Sequence, residues 1–478
     1  MGGAAVMIME SPFPRSAARG VRNRFFGNSQ LMVLPLVALA MLMTLANCAP
    51  VLDRHDDAVP EQWSTRVGNP ATAAMLQAWW RRFDDPVLVR LIETAMARSP
   101  EIGMATARIR EARGLETSTS ATLLPVIELS AAGIHGEEAG APPATSWAAQ
   151  GAASFEVDLF GKTRDAVDAA GAGVAAAEQD HAWVRLSLVG EIVRSYIDYR
   201  AGAKQVRLAE RNLASQKRTL EHVRGQEKAG LLGPFDVERA AREPHLSAAR
   251  TAEYRRQQEL ALLRLATMTT LRADELATMA GAAGNIPGLD LAPLTLAPAA
   301  VLAARPDVRA ASLRLLQRTA LTESEAASVF PSLGVTAMFG VTSAALLDPL
   351  QLWSVTGRLA ATLVDFGRIE GRIDAASARE MEAYEAWRKS VLGAIEDVEA
   401  ALTTVARAKE QRQALQRARG HAGKALAFAE RRFKVGESSL LDVLDSQRQV
   451  IEADSALTSA EALYAGAIVA LYRALGAY

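Results

Sequence analysis

Cysteine is nearly absent from this chain: Cys48 is the single one in 478 residues. A lone cysteine excludes a disulfide framework and a cysteine-based metal site, and the six histidines are scattered. Aromatic residues are scarce at 5%, although the hydrophobic share is 50%. Alanine and leucine therefore carry the apolar content, a mix that favours long, closely packed helices. Neither sign of charge dominates, and the formal net of −1 argues against a nucleic-acid partner. No HExxH, P-loop or G-x-S-x-G pattern occurs. Gly171-Ala172-Gly173 lies inside a helical pattern without a third glycine. With no acid–base or nucleophile constellation, an enzyme is the least favoured class, and no metal or cofactor is expected beyond a covalent lipid.

What is present is a duplication. Pro100 pairs with Pro306, Pro125 with Pro331, Gly161 with Gly367, Gly230 with Gly436 and Asp236 with Asp442. Each pair is separated by the same interval, for example 436 − 230 = 206 residues, without a gap. Two copies of one unit, much longer than a solenoid period, predict a pseudo-symmetric body. The first copy is assigned to residues 79–268 and the second to 305–478, with 269–304, rich in Ala, Leu, Gly and Pro, as an irregular linker.

At the start of the chain, Arg15, Arg19, Arg22 and Arg24 precede the apolar run Leu31 to Ala46, and small residues follow. That order is a secretory signal, assigned to 1–47. Cys48 sits where a bacterial lipoprotein signal places its acylated residue, although Asn47 stands where a smaller residue is usual. No aspartate follows the cysteine, so inner-membrane retention is not signalled and the outer membrane is the expected destination. Residues 48–78 read as a lipidated, extended lead.

Two periodicities alternate within each copy. Apolar residues at period two run through Ile127, Leu129 and Ala131, then Ala149 to Val157, Leu333 to Val341 and Trp353 to Leu363. They predict two β-hairpins within about 125–160 and 331–366. One reading of these strands is a soluble sheet packed on a helix. The other is part of an outer-membrane barrel, apolar outside and polar inside. Four strands cannot close, since the smallest barrels need about eight, so a barrel would be shared among chains. Proline is absent from Gly161 to Ala229 and from Gly367 to Val435, which predicts helices of roughly 100 Å. Ala182, Leu186, Val189, Val193 and Tyr196, with Val391, Ile395, Val398, Leu402 and Val405, form narrow seams that need partner helices throughout. Return helices are expected from about Phe235 to Thr267, with Pro244 inside, and from Leu440 to Leu475.

Between the long helices and their returns lie two turns. In the second, Gly436 can adopt the left-handed conformation and Ser438 or Ser439 can cap the next helix. Asp442 and Asp445, three apart, share a face there. The first copy has Asp236 but Arg239 in place of the second acid. Acids at a helix start also complement its dipole, which is all that is expected of Asp236.

Trp79-Trp80…Phe83…Asp85-Pro86, Leu124-Pro125, Asp158-Leu159-Phe160-Gly161-Lys162, Val364-Asp365-Phe366-Gly367-Arg368 and Val435-Gly436…Ser439…Asp442 to Arg448 are the landmarks in hand. With these the chain, over about 75–478, resembles the outer-membrane efflux protein family, the TolC-like outer membrane factors, in its lipoprotein branch. The resemblance implies a mainly α fold with a β-barrel portion. Long, internally duplicated antiparallel coiled-coil helices and four strands per chain would build a twelve-stranded barrel and a helical tunnel in a homotrimer. It implies outer-membrane lipid around the barrel, a periplasmic adaptor protein at the far end and an inner-membrane pump beyond it. Gly230, Leu231, Gly436, Glu437 and Ser438 would be the adaptor-facing tips. Asp442 and Asp445 would line a periplasmic gate, where crowded carboxylates attract cations and raise some of their own pKa values. A basic residue that helps latch the closed end in some relatives is here Ser438, so any latch differs in detail.

The function so implied is the passive exit duct of a tripartite efflux system. A type I protein secretion duct and a non-conducting periplasmic coiled-coil scaffold held by its lipid are the alternatives. The lipid assignment makes a direct prediction: Cys48→Ser abolishes metabolic acyl labelling of the protein, and labelling that persists would refute it.

Overall fold

Helices of equal length fill the two proline-free stretches. The computed structural model describes residues 60–65, 68–70, 72, 76–137, 143–281, 284–344 and 350–476; the signal segment, Cys48 and the hairpin tips at 138–142 and 345–349 lie outside them. Each copy opens with a helix that begins on proline. In the first, α1 (Pro86–Arg98) is followed by α2 (Pro100–Ser120); in the second, the short α6 (Pro298–Ala304) precedes α7 (Pro306–Ala326). Pro at the first helical position needs no N–H partner, and Asp85 and Ser99 cap α1 and α2 by accepting backbone hydrogen bonds. Both α2 and α7 tighten into a 3-10 turn and stop at an extended residue, Leu124 or Phe330, forced by the proline that follows.

Two strands come next in each copy: β1 (Val126–Gly136) and β2 (Ala144–Val157), then β3 (Ser332–Ala344) and β4 (Leu350–Ala360). They form one antiparallel sheet in the order β1-β2-β3-β4. The register sets Leu129, Gly151, Phe339 and Trp353 in one row and Ile127, Ala153, Ala337 and Val355 in the next. Directly opposed residues share a face, so the apolar alternation of four separate strands becomes one continuous apolar surface. On the reverse, Glu156, Gly334 and Arg358 form a row, as do Ser154, Thr336 and Thr356. Every described residue of β1 and β4 is exposed, and among the described residues no strand lies beside their outer edges. The sequence alternation runs on to Leu363, but β4 ends at Ala360, opposite Ser332. Pro331 immediately precedes Ser332 and lacks the N–H that would extend the ladder.

The long helices are α3 (Lys162–Lys228) and α8 (Arg368–Lys434), each of 67 residues, hence about 100 Å long. Their returns are α4 (Pro234–Thr269) and α9 (Leu440–Ala474). Pro244 lies buried within α4 without ending it. A narrow seam cannot hold so long a helix by itself, and shorter helices laid end to end cover each one. Near its start α3 is tied to α2 by Arg113–Glu178 at 2.7 Å and to α7 by Arg314–Asp180. Further along it meets α4 through Arg255–Glu210 at 2.7 Å and α9 through Lys204–Glu461. For α8 the partners are α7 (Thr319 Oγ1 to Glu380, 2.9 Å) and α9 (Arg419 to Asp454, 2.7 Å). Leu186, Val189, Val193, Tyr196, Val398, Leu402 and Val405 of the expected seams are fully buried.

The largest core lies halfway along these helices. Trp79, Phe83, Leu88, Leu91 and Ile92 pack on Val189, Ile192, Val193, Tyr196, Leu402, Ile468 and Tyr472. The 269–304 segment joins it and is more regular than its composition implied, with α5 (Ala273–Ala280) and α6 in it. Asn69–Pro70 pairs in parallel with Leu294–Thr295, and Trp63 donates to the Leu296 carbonyl at 2.6 Å, which fastens the N-terminal lead to the same layer. Asp85 also accepts from the Tyr196 hydroxyl at 2.8 Å, and Arg200 donates to that hydroxyl at 2.8 Å. Trp79 is wholly buried against Trp80, Phe83 and Tyr472. Trp79→Ala is expected to cost about 3–5 kcal/mol, read as a lower thermal midpoint of the helical circular dichroism; an unchanged midpoint would show that this layer does not limit stability.

Candidate functional site

Both turns at the ends of the long helices are built alike, because both sequences place glycine where the helix must reverse. Gly230 and Gly436 have φ of 73° and 79°, a conformation that costs glycine little and other residues more. The Gly230 and Leu231 amides donate to the Glu227 and Gln226 carbonyls, both at 2.9 Å. In the second copy Gly436 donates to Phe433 at 3.1 Å and Glu437 to Arg432 at 2.8 Å. This paired closure satisfies the last carbonyls of each long helix. Gly230, Leu231, Gly436 and Glu437 are exposed, and Ser438 is half-buried. Leu231, at 71% exposure, is an apolar side chain presented to whatever lies beyond the tip.

Under the turns a small core joins the two hairpins. Leu220, Val223 and Ala240 of the first meet Phe433, Leu440, Val443 and Leu444 of the second. Gln447 adds a polar tie, donating to the Thr219 hydroxyl at 3.0 Å. The turns therefore stand side by side as one presented surface.

The second turn differs from the first in its cap. Ser439, rather than Ser438, is the capping residue: its hydroxyl accepts from the Asp442 amide at 3.3 Å. Asp442 Oδ2 accepts from the Ser439 amide at 3.0 Å and from the Ser438 and Ser439 hydroxyls, both at 2.9 Å. Hydrogen bonds from Ser438, then from Ser439, favour the carboxylate, and Arg432 adds attraction, so the Asp442 carboxyl titrates below its ordinary value. Within one chain the shift therefore runs opposite to that expected of a crowded ring, which requires other copies. Asp445, one turn on, pairs with Arg448 and accepts from Gln449 at 2.8 Å. In the first turn Asp236 accepts from the Gly233 amide at 3.3 Å, a capping bond beyond the dipole complement expected of it.

Sequence reasoning passed over Arg432 and gave Gln447 and Arg448 no role of their own. Arg432 donates to the Glu437 carbonyl at 2.9 Å and lies 3.9 Å from its carboxylate, bracing the turn that carries the tip. The three-residue spacing of Asp445 and Arg448 signalled their pairing; nothing local signalled that Gln447 reaches Thr219. Among the described residues no group of three or more His, Cys, Asp or Glu side chains could hold a metal ion.

Residues 91–270 and 297–477 match the family described as Outer membrane efflux protein. The chain is 30% identical over 465 residues to the pyoverdine export outer membrane protein OpmQ of Pseudomonas putida, covering 93% of this chain and 98% of that one. To OpmQ of Pseudomonas aeruginosa it is 28% identical, over 93% and 96%. The solved structure of the outer-membrane channel OprN superposes with a TM-score of 0.79 at 26% identity, covering 89% of this chain and 98% of that one.

The capping geometry makes a pH prediction. Because the folded-state pKa of Asp442 is lowered, its contribution to the start of α9 is complete above the ordinary carboxylate value and is lost as pH falls through the lowered one. Ser439→Ala removes one of the hydrogen bonds that hold it down, the one from the Ser439 hydroxyl, so the loss begins at higher pH. Amide exchange at residues 439–443 checks this; identical pH profiles for the two proteins would refute it.

Proposed function

The chain belongs to the outer membrane efflux protein family, and from that premise we propose that it is the passive exit duct of a tripartite efflux system. It is an outer-membrane channel that extends into the periplasm and carries out no chemistry of its own. Substrate reaches it from an inner-membrane pump through a periplasmic adaptor. The observation that carries this reading is the sheet: one continuous apolar face, a polar reverse and two open edges, joined directly to the helices of about 100 Å. A scaffold tethered by its lipid has no use for an apolar sheet face. Lipid has, and it tolerates no unpaired strand edge. Three chains of four strands close a twelve-stranded barrel, and the homotrimer is the assembly proposed here. The expected acyl group on Cys48 anchors the lead in the same membrane.

At the periplasmic end the paired turns around Gly230, Leu231, Gly436, Glu437 and Ser438 are the proposed adaptor contacts, supported by the exposure of the first four and by the shared core beneath. Asp442 and Asp445 form the proposed gate. Three copies bring six carboxylates together, a ring that attracts cations and hinders anions.

Heat-resistant trimer migration and single-channel conductance in a planar bilayer test the duct; a monomer with no conductance rules it out. For the gate, replacing Asp442 and Asp445 with Ala raises conductance and weakens block by divalent cations. Since Asp442 also caps α9, Ser439→Ala is the control: it loosens the cap and keeps the charge. If the control reproduces the double variant, the ring is not the gate.

A further inference from the structure

A cavity of about 550 Å³ opens where α3 runs between α4 and α9, at the level of the main core, whose Val469 and Met268 form part of its wall. Val189, Ile192, Val193 and Tyr196 turn to that core, whereas Glu191, Arg194 and Asp198 turn to the cavity, as 100° per residue requires. Its remaining lining includes Arg264 and Met268 from α4 and Val469 and Arg473 from α9. Three guanidiniums thus face one space. Arg194 is paired to Asp198 at 3.4 Å. Arg264 and Arg473 are exposed and make no ion pair among the described residues, so two cationic heads stand against the carboxylate of Glu191.

A Cβ on Gly190 would meet Arg473 Cδ at 3.4 Å, and one on Gly466 would meet Arg194 Cζ at 3.0 Å. Each helix therefore supplies the glycine over which the other's arginine lies. The duplication shows that the wall can be built without these charges. Positions 194 + 206 = 400, 264 + 206 = 470 and 473 − 206 = 267 are Ala400, Ala470 and Thr267.

The geometry points to a binding subsite for drug-sized organic anions, with an acidic head on Arg264 and Arg473 and a carbon body on Met268 and Val469. The volume lies within the range of small-molecule sites, and a guanidinium grips an oxyanion through paired N–H donors. The placement in the duct rests on the function proposed above: a closed wall has room for the thick apolar layer of Trp79 to Ile92 only outside, which turns the arginine face to the lumen.

The test uses the full-length protein in phosphatidylcholine nanodiscs, with empty discs subtracted, and 1-naphthoate as probe in equilibrium dialysis. Arg264→Ala and Arg473→Ala are each expected to weaken naphthoate binding on the order of tenfold, Arg264→Lys to retain most of it, and uncharged 1-naphthamide to bind none of the proteins. Thermal midpoints matching the wild type establish that the variants are folded, as the alanine at the duplicate position of Arg264 leads one to expect. Equal naphthoate binding by wild type and variants overturns the subsite. So does equal binding of naphthamide, and so does displacement by sulfate as tight as naphthoate itself, which would reduce the site to an inorganic oxyanion site. Bilayer recordings run in parallel separate the two readings. A wild type that never conducts sinks the duct while the dialysis result still stands; a conducting wild type whose current naphthoate reduces no more than in the arginine variants sinks the luminal subsite.

Discussion

The outer edges of β1 and β4 set the terms for this molecule. Along both, no further strand pairs among the described residues, yet the sheet's continuous apolar face is the one proposed to lie in lipid. Hydrocarbon offers no hydrogen bonds, and each unsatisfied group there costs several kcal/mol. A four-stranded sheet cannot satisfy its edges by curling onto itself. The duplication makes the remedy geometrically simple. β2 and β3, from different copies, already pair within the chain, and in the proposed trimer β4 of one chain beside β1 of the next would repeat that relation. The junctions below agree: Phe160 stacks on Phe330 with centroids 4.7 Å apart, while their counterparts Phe366 and Leu124 are left 98% and 65% exposed.

Length imposes a second constraint. Helices of 67 residues with narrow seams gain little from propensity, and most of their stability comes from what covers them. The fold answers with half-length helices meeting end to end, α2 and α4 along α3, α7 and α9 along α3 and α8. Where those half-helices end, the wall would be thinnest, and there the largest core sits, built from the Trp79 region and the 269–304 segment. Arg305 shows how firmly that level is held. Its buried guanidinium bonds Asp307 at 2.7 Å, Asp397 at 3.0 Å and the Ala474 carbonyl at 3.0 Å, and lies over the Trp183 ring. Every donor-rich edge of a buried cation is thereby given an acceptor.

Much of this could be read from the residues in order. The helix limits followed from proline, the turns from Gly230 and Gly436, and the strands from strict alternation. The acids proposed as a gate were less legible. Asp442 and Asp445 were seen to share a face, but the carboxylate of Asp442 is occupied by Ser438 and Ser439 and that of Asp445 by Arg448 and Gln449. Composition misled at 269–304, where two short helices pack on a core that their own sequence does not announce. The end of β4 was misjudged because alternation continues past Ala360 while the strand opposite does not.

What the sequence determined by itself is therefore local and periodic: where helices begin and stop, which way strands face, that the unit is duplicated, and which residues ride the tips. These depend on dihedral preferences and on neighbours within a few positions. The tertiary structure alone decided which half-helix covers which rod, that Gln447 ties one hairpin to the other, and that Arg194, Arg264 and Arg473 share a cavity. Those side chains come from three helices, and no periodicity within any one of them encodes a meeting that exists only once the helices have packed.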